Sequence, residues 1–336
     1  MGRYALGLLT LISVTGCCGF GDCNEPELIV TAQATASVVP PANVTVSFKV
    51  DDEDGNGVPN LTTAKDNFNI YEDEVLVSAF EAKPVILPRP GRFSNYTVIL
   101  LDLSGSITQS QSLPGVKNAA TAFINTVVPV PSAADVQVGI WWFDGAAELH
   151  TLMPFTSSRS ALAAAISALD GNLSNDNSTN LNGAMVAGID SAFTRATSDK
   201  AKNITSVGSV VLFTDGTDQA ARVTESTVLT RITNTRSMVK LYSIGLGTEV
   251  NPGTLDAYGP DGYFQADNPE GLAETFGQAA QRVKDNANSY YQLEYCSPKR
   301  AGTHELRIEA VLDKAKGSLR TTFSAEGFTG GCTPGS

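Results

Sequence analysis

The middle of the sequence contains runs of apolar residues that do not alternate with polar ones. Two of them, Thr97–Leu101 and Ser209–Thr214, are each followed directly by an aspartate, and a third covers Lys240–Gly247. Such runs are typical of strands that are buried on both faces of a parallel sheet. Between the runs, segments such as Val116–Val127 place apolar residues at helical spacing. The pattern predicts an α/β fold in which a doubly wound, mostly parallel sheet carries helices on both faces.

Both ends of the chain show a different pattern, in which apolar and polar residues alternate. Asn43–Val50, Tyr290–Cys296 and His304–Val311 follow it, as half-buried antiparallel strands do. We therefore expect the two ends to form one small antiparallel β-sandwich, with the α/β domain inserted between its halves. The expected order is a signal peptide (1–16), a tether (17–27), the first part of the sandwich (28–94), the α/β domain (95–288) and the second part of the sandwich (289–336).

The first residues have the character of a secretory signal. Met1–Arg3 carries a positive charge, and Tyr4–Val14 is apolar but shorter than the roughly 20 residues that span a bilayer. Val14–Cys17 resembles the bacterial lipobox, in which the cysteine receives a lipid. The resemblance implies that Cys17 anchors the mature protein in a membrane. Because Cys18 rather than aspartate follows it, the implied location is the outer membrane, facing the periplasm or the cell surface. An ordinary secretory signal is the alternative.

An exported location also bears on the other cysteines, because disulfides form in oxidising compartments. We expect Cys296 and Cys332 to pair and to bridge the last strands of the sandwich. Cys18 and Cys23 lie in the short tether, and the sequence leaves open whether they pair or stay reduced. The five cysteines do not show the Cys-x-x-Cys spacing of zinc sites.

Composition argues against several functional classes. The chain carries 35 acidic and 23 basic residues, a net charge of −12, so nucleic acid and anionic lipid head groups are poor partners. His150 and His304 are its two histidines. Since no nucleophile-elbow motif accompanies them, a Ser-His-Asp hydrolase is not expected.

Oxygen-bearing side chains follow both central buried runs. Asp102 is followed by Ser104 and Ser106, and Asp215 follows the second run. Parallel strands bring their carboxyl ends to one edge of the sheet, where folds of this class bind ligands. A buried carboxylate is costly unless a charged or hydrogen-bonding group meets it, and hard cations such as Mg²⁺ prefer clustered oxygen ligands. These residues therefore indicate a candidate divalent-cation site at this edge. The alternative is that Asp102 and Asp215 cap adjacent helices and the serines fill turns.

This Asp-x-Ser-x-Ser spacing, with a threonine loop and a second aspartate downstream, resembles the metal-ion-dependent adhesion site of von Willebrand factor A (VWA) domains. The threonine of that pattern corresponds to Thr179, in Ser178–Ala184. The resemblance implies bound Mg²⁺, with Mn²⁺ or Ca²⁺ as alternatives, and an open coordination position for a carboxylate of a partner protein or extracellular ligand. Many relatives have two glycines before this threonine, where Asn177 and Ser178 stand here, so Ser178 is an alternative ligand. The implied metal ligands are Asp102, Ser104, Ser106, Thr179 and Asp215.

We expect the other acidic segments to be loops and turns rather than metal sites. Asp144 and Asp218 lie near the same edge of the sheet and are expected to be solvated loop residues. Asp52–Gly57 matches the opening of an EF-hand loop, but Thr63 occupies the twelfth position, where such loops carry glutamate. We expect a hairpin turn there rather than a calcium site, because Asp, Asn and Gly are also common turn residues.

These features together favour a cell-envelope lipoprotein that is not an enzyme and that binds a protein or matrix ligand through the metal site, in adhesion or in assembly of a complex. One alternative is an anchored structural scaffold with a non-functional metal site. A less favoured alternative is a Mg²⁺-dependent phosphoryl-transfer enzyme, because an aspartate after a buried strand also opens haloacid-dehalogenase-like sites. Those sites need a second aspartate two residues later, where this chain has Ser104.

Overall fold

Residues 26–61, 67–89, 92–174 and 176–334 are described in the computed structural model of the chain. The predicted signal peptide and Cys17, Cys18 and Cys23 lie outside the described residues. The strands are β1 (Leu28–Ala32), β2 (Ser37–Val39), β3 (Asn43–Asp52), β4 (Phe68–Glu72), β5 (Val75–Leu76), β6 (Val85–Pro88), β7 (Phe93–Asp102), β8 (Val136–Phe143), β9 (His150–Thr156), β10 (Thr205–Thr214), β11 (Val239–Leu246), β12 (Tyr263–Ala266), β13 (Tyr290–Cys296), β14 (Thr303–Leu312) and β15 (Ala315–Ser324). The helices are α1 (Ala79–Ala82), α2 (Gly105–Thr108), α3 (Ser112–Val127), α4 (Arg159–Ser167), α5 (Leu181–Lys200), α6 (Glu225–Thr235), α7 (Pro252–Tyr258) and α8 (Leu272–Ala287). Among the described residues, none of these helices is both long and apolar enough to cross a membrane.

Six strands form the central sheet in the order β12-β11-β10-β7-β8-β9. The first five run parallel to one another, and β9 pairs antiparallel with β8 at one edge. The sheet is therefore mixed and mostly parallel, as the unbroken apolar runs predict. Its two central strands, β7 and β10, are the ones that precede Asp102 and Asp215.

Successive residues of β7 face two different cores. Ile99 and Leu101 share a core with apolar residues of α3, α4 and α8, whereas Val98 and Leu100 share one with residues of α5, α6 and α7. All four side chains are fully buried, which explains why this strand shows no alternation of apolar and polar residues. Helix α5 lies close to the sheet at Gly188, where a Cβ atom would stand 2.6 Å from a methyl carbon of Leu100.

Two antiparallel sheets built from both ends of the chain pack face to face. One contains β1, β3, β13 and β6 in that order, with β2 paired to β3, and the other contains β15, β14, β4 and β5. Their shared core includes Phe48, Phe68 and Tyr291, whose ring centroids lie between 5.5 and 5.8 Å apart. Since β13 follows the α/β unit in sequence but pairs with β3 and β6, which precede it, the two ends of the chain form a single sandwich.

Two adjacent chain crossings connect this sandwich to the central sheet. One leads from β6 into β7, and the other leads from α8 into β13. The guanidinium of Arg89 donates to Asn288 Oδ1 at 2.7 Å, and the rings of Phe93 and Tyr290 lie 5.2 Å apart. Direct contacts between the two crossings therefore stabilise the junction.

The sandwich also contains a disulfide and a tight turn. Cys296, at the end of β13, is bonded to Cys332, 36 positions later. Closing a loop of that length stabilises the folded state by about 4 kcal/mol in the chain-entropy description. In the turn, Asp52 Oδ1 accepts the N–H groups of Asp54 and Asn56 at 3.0 and 2.8 Å. This carboxylate thus closes a hairpin turn, which is the interpretation favoured over a calcium loop.

Candidate functional site

The carboxyl ends of β7 and β10 lie side by side at one edge of the central sheet. β7 ends at Asp102 and β10 ends at Thr214. The register of the two strands pairs Leu101 with Phe213, the residues directly before these two ends. The chain after β7 enters the short helix α2 through Ser104, and the chain after β10 continues directly into Asp215. Neighbouring parallel strands therefore bring the two predicted aspartates to the same edge.

Asp102 is fully buried at this edge. Its Oδ1 atom accepts the N–H of Ser104 at 3.1 Å, and its Oδ2 atom accepts the hydroxyl of Thr214 at 2.6 Å. Burial, with a smaller contribution from the Asp215 carboxylate, raises the pKa of Asp102 to about 7. The two hydrogen bonds act in the opposite direction because they favour the ionised carboxylate.

A chain of hydroxyls links the buried carboxylate to the surface. The hydroxyl oxygens of Ser104 and Ser106 lie 3.1 Å apart, and the Ser106 hydroxyl donates to Asp215 Oδ1 at 3.1 Å. Ser104 is buried and Ser106 is exposed, so the cluster runs from the interior to solvent. Burial raises the pKa of Asp215, and the Glu249 carboxylate acts in the same direction.

The threonine loop closes the cluster from a third side. Its Asp176 carbonyl accepts the N–H of Gly105 at 2.8 Å, and a Cβ on Gly105 would stand only 1.8 Å from Asn177 Oδ1, so the serine and threonine loops are in direct contact. Thr179 is buried, and its Oγ1 atom lies 3.9 Å from the position that a Cβ on Gly216 would take. All five predicted ligands are thus carried by three loops that meet at one edge of the sheet.

Ser178, the alternative ligand, faces a different group. Its N–H and its hydroxyl both donate to Asp176 Oδ1, at 2.9 and 2.7 Å. These bonds hold the pKa of Asp176 below its usual range. Ser178 therefore stabilises its own loop, which leaves Thr179 as the hydroxyl on the side of Gly216.

The expectation of a solvated loop residue is wrong for Asp144, whereas Asp218 does lie in a loop and is partly exposed. Asp144 is buried, and its Oδ2 atom accepts the Ser174 hydroxyl at 2.6 Å while its carbonyl accepts the N–H of Asn180 at 2.8 Å. Asp218 Oδ1 accepts the N–H of Asn182, at the start of α5, at 3.0 Å. Both carboxylates position the segment that carries the threonine. The sequence gives no signal for this, because the partners are distant in the chain or are backbone groups.

The donor set of this cluster fits a divalent cation. It contains two carboxylates and three hydroxyls, and among the described residues no lysine, arginine or histidine lies within 4.0 Å of Asp102 or Asp215. Carboxylate and hydroxyl oxygens are the ligands that hard cations prefer. The described part of the chain contains no group of three or more His, Cys, Asp or Glu side chains arranged to hold a metal, so the hydroxyls are essential to the candidate site.

Comparison with known proteins shows the family to which this chain belongs. The model of the von Willebrand factor type A domain matches residues 97–278, more than half of the chain. The chain belongs to the VWA domain family. Domains of this family are generally adhesion or binding modules rather than enzymes. No curated protein sequence matches this VWA protein.

Several solved protein structures are similar to this one at low sequence identity. Proximal thread matrix protein 1 from the mussel byssus is 15% identical with a TM-score of 0.47, over 58% of this chain and 49% of its own. This chain thus spans about half the length of the mussel protein. A von Willebrand factor type A protein from Catenulispora acidiphila is 14% identical with a TM-score of 0.47, over 88% and 74% of the two chains. The manganese-loaded TRAP protein of Plasmodium vivax is 14% identical with a TM-score of 0.46, over 73% and 99%.

Proposed function

We propose that this VWA protein is a cell-envelope lipoprotein that binds a protein or matrix ligand through Mg²⁺, in adhesion or in assembly of a complex. The observation that carries the proposal is the convergence of two carboxylates and three hydroxyls at the carboxyl edge of the sheet, with no cationic side chain beside the carboxylates in the described residues. The proposed ligands are Asp102, Ser104, Ser106, Thr179 and Asp215.

The carboxylates and the hydroxyls of the cluster have different roles in binding the ion. Asp102 and Asp215 supply negative charge, either directly or through water, while the serine and threonine hydroxyls supply neutral oxygens. Thr214 keeps Asp102 oriented and favours its ionised form. When bound, the ion would attract a carboxylate of the partner on the solvent side, where Ser106 is exposed. Mn²⁺ and Ca²⁺ are alternatives to Mg²⁺ because they accept the same kind of ligand.

The proposed location depends on the amino-terminal sequence. The lipobox-like segment that ends at Cys17 would attach the protein to the outer membrane, on its periplasmic or outer face, and the acidic chain is not suited to bind nucleic acid. A scaffold with a non-functional metal site differs from our proposal in predicting no saturable metal binding. Phosphoryl transfer is less favoured because Ser104 replaces the second aspartate that such an enzyme needs.

Isothermal titration with Mg²⁺ and with Mn²⁺ tests the metal site. We expect saturable heat from the wild-type protein and its loss in Ser104→Ala. A matched control is Ser209→Ala, because Ser209 is a buried serine of β10 whose hydroxyl has no hydrogen-bond partner among the described residues. Saturable heat that persists in Ser104→Ala, or its absence from the wild type, would contradict the proposal.

The partner can be sought by capture from envelope extracts with and without EDTA. A partner that binds through the ion should be retained by the wild type and by Ser209→Ala in Mg²⁺, and lost in EDTA or with Ser104→Ala. A partner that is retained equally under all these conditions would support the scaffold interpretation instead.

A further inference from the structure

A cavity of about 250 Å³ lies directly beside the candidate metal site. Its wall includes Gly216, the residue after Asp215, so the cavity and the metal cluster share one loop. Pockets for drug-sized ligands have volumes of roughly 300–1,000 Å³. The cavity is therefore of a size to receive a single long side chain.

Two carboxylates line the cavity, one from Asp218 in the loop after β10 and one from Glu225 in the first turn of α6. Backbone N–H groups of Asn182 and Ala221 donate to the two oxygens of Asp218 at 3.0 and 3.1 Å. These bonds fix the carboxylate in place but do not cancel its charge. Within the described ranges neither carboxylate has a lysine, arginine or histidine within 4.0 Å.

The rest of the accessible wall is mostly polar, and a smaller apolar part lies behind these carboxylates. Leu181 and Leu255 line it and are buried, as is Tyr258, whose hydroxyl donates to Asn182 Oδ1 at 2.5 Å. Lysine and arginine side chains characteristically place their aliphatic stems against apolar surface and keep their charged ends near polar groups. The cavity offers both kinds of surface within one small volume.

We propose that the cavity receives a basic side chain, lysine or arginine, of the same partner whose carboxylate binds at the metal site. This inference rests on the proposed function. Asp215 and Asp218 are three residues apart, so their Cα atoms are separated by at most about 11 Å. An extended peptide advances about 3.3 Å per residue. A partner whose basic residue lies one to three positions from its acidic residue therefore engages both places.

The cavity can be tested alone with methylguanidinium, followed by amide NMR of the full protein without divalent cations. We expect saturable shifts for cavity residues such as Asn182, Gly216 and Thr254. The apparent affinity should fall about three- to tenfold in Glu225→Gln. Glu81→Gln, which removes a glutamate from the first turn of α1 in the sandwich, should have no effect. Shifts that match those produced by NaCl, or that do not change in Glu225→Gln, would refute the cavity as a cation site.

The link to the metal site is tested with the peptide Gly-Glu-Gly-Lys-Gly and with versions that carry glutamine in place of glutamate or lysine. In Mg²⁺ we expect the parent peptide to bind about three- to tenfold more tightly than the version without lysine, and this advantage should disappear in Glu225→Gln. Equal affinities for these two peptides would refute the cavity's role and leave metal-dependent binding intact. Affinities that do not change in EDTA or on loss of the peptide's glutamate would instead refute the proposed function.

Discussion

The hydrogen bond from Thr214 to Asp102 allows a quantitative test of the metal site. A hydrogen bond to a charged group contributes about 1.5–3 kcal/mol, and the 2.6 Å bond between the Thr214 hydroxyl and Asp102 Oδ2 is buried. Its removal in Thr214→Val should favour the protonated carboxyl over the carboxylate by a factor of about 10 to 100. Since burial raises the pKa of Asp102 to about 7, about half of the wild-type molecules carry an ionised Asp102 at pH 7.

In Thr214→Val that ionised fraction should fall to between roughly one in ten and one in a hundred. Because a metal binds the deprotonated carboxylate, the Mg²⁺ affinity at pH 7 should fall about 5- to 50-fold, and the loss should shrink as the pH rises. Isothermal titration at pH 6, 7 and 8.5 measures this, and Thr214→Ser, which keeps the hydroxyl, is the matched control. Superimposable pH profiles for Thr214→Val and the wild type would refute the reasoning.

Two further predictions concern the sandwich and the helices. Hydrogen bonds from Lys299 and His304 hold the pKa of Asp73 below its usual range, while bonds to the Ala301 carbonyl and to Asp73 raise the pKa of His304. Their contribution to the free energy of unfolding should be complete between about pH 4 and 6.5. This contribution should decline as the pH falls through the folded pKa of Asp73, and also as it rises through the folded pKa of His304. In urea denaturation, Asp73→Asn should make the free energy of unfolding less dependent on pH in both ranges. If the variant keeps the wild-type profile, this ion pair does not contribute. Gly317→Ala should destabilise the fold, because a Cβ there would stand 1.8 Å from a backbone carbonyl oxygen of β1. Gly277→Ala in α8 should stabilise it by about 0.5–1 kcal/mol, because no atom of the described residues lies within 4 Å of the added Cβ. Similar melting temperatures for the two variants would contradict this pair of predictions.

The strands of the central sheet could be predicted from sequence, whereas the polar contacts at their ends could not. A strand such as Thr97–Leu101 is buried on both faces, and this requirement leaves an unbroken apolar run in the sequence. Thr214 carries no comparable signal, because a β-branched residue is expected in a strand whether or not its hydroxyl meets a carboxylate. Its contact with Asp102 depends on the register of β7 and β10, which is a property of the folded sheet.

The polar contacts of the threonine loop could not be predicted from the sequence either. The sequence left Ser178 and Thr179 as alternative ligands, since either hydroxyl could be directed to the site by a suitable loop. In the structure Ser178 donates to Asp176, and the N–H of Asn180 donates to the Asp144 carbonyl, so two aspartates set the conformation of this loop. The burial of Asp144 is not predictable in the same way, because a buried loop carboxylate and an exposed one look alike in sequence.

The two neighbouring crossings between the sandwich and the α/β unit have a mechanical consequence. β7 leaves the junction at Phe93 and reaches Asp102 in the candidate site nine residues later, a distance of about 30 Å. A pull on a ligand bound at this site would consequently be transmitted through two covalent connections that share the load. A single backbone cut at either connection would leave the ligand-bearing unit tethered by the other, so cleavage at both positions is needed to release it.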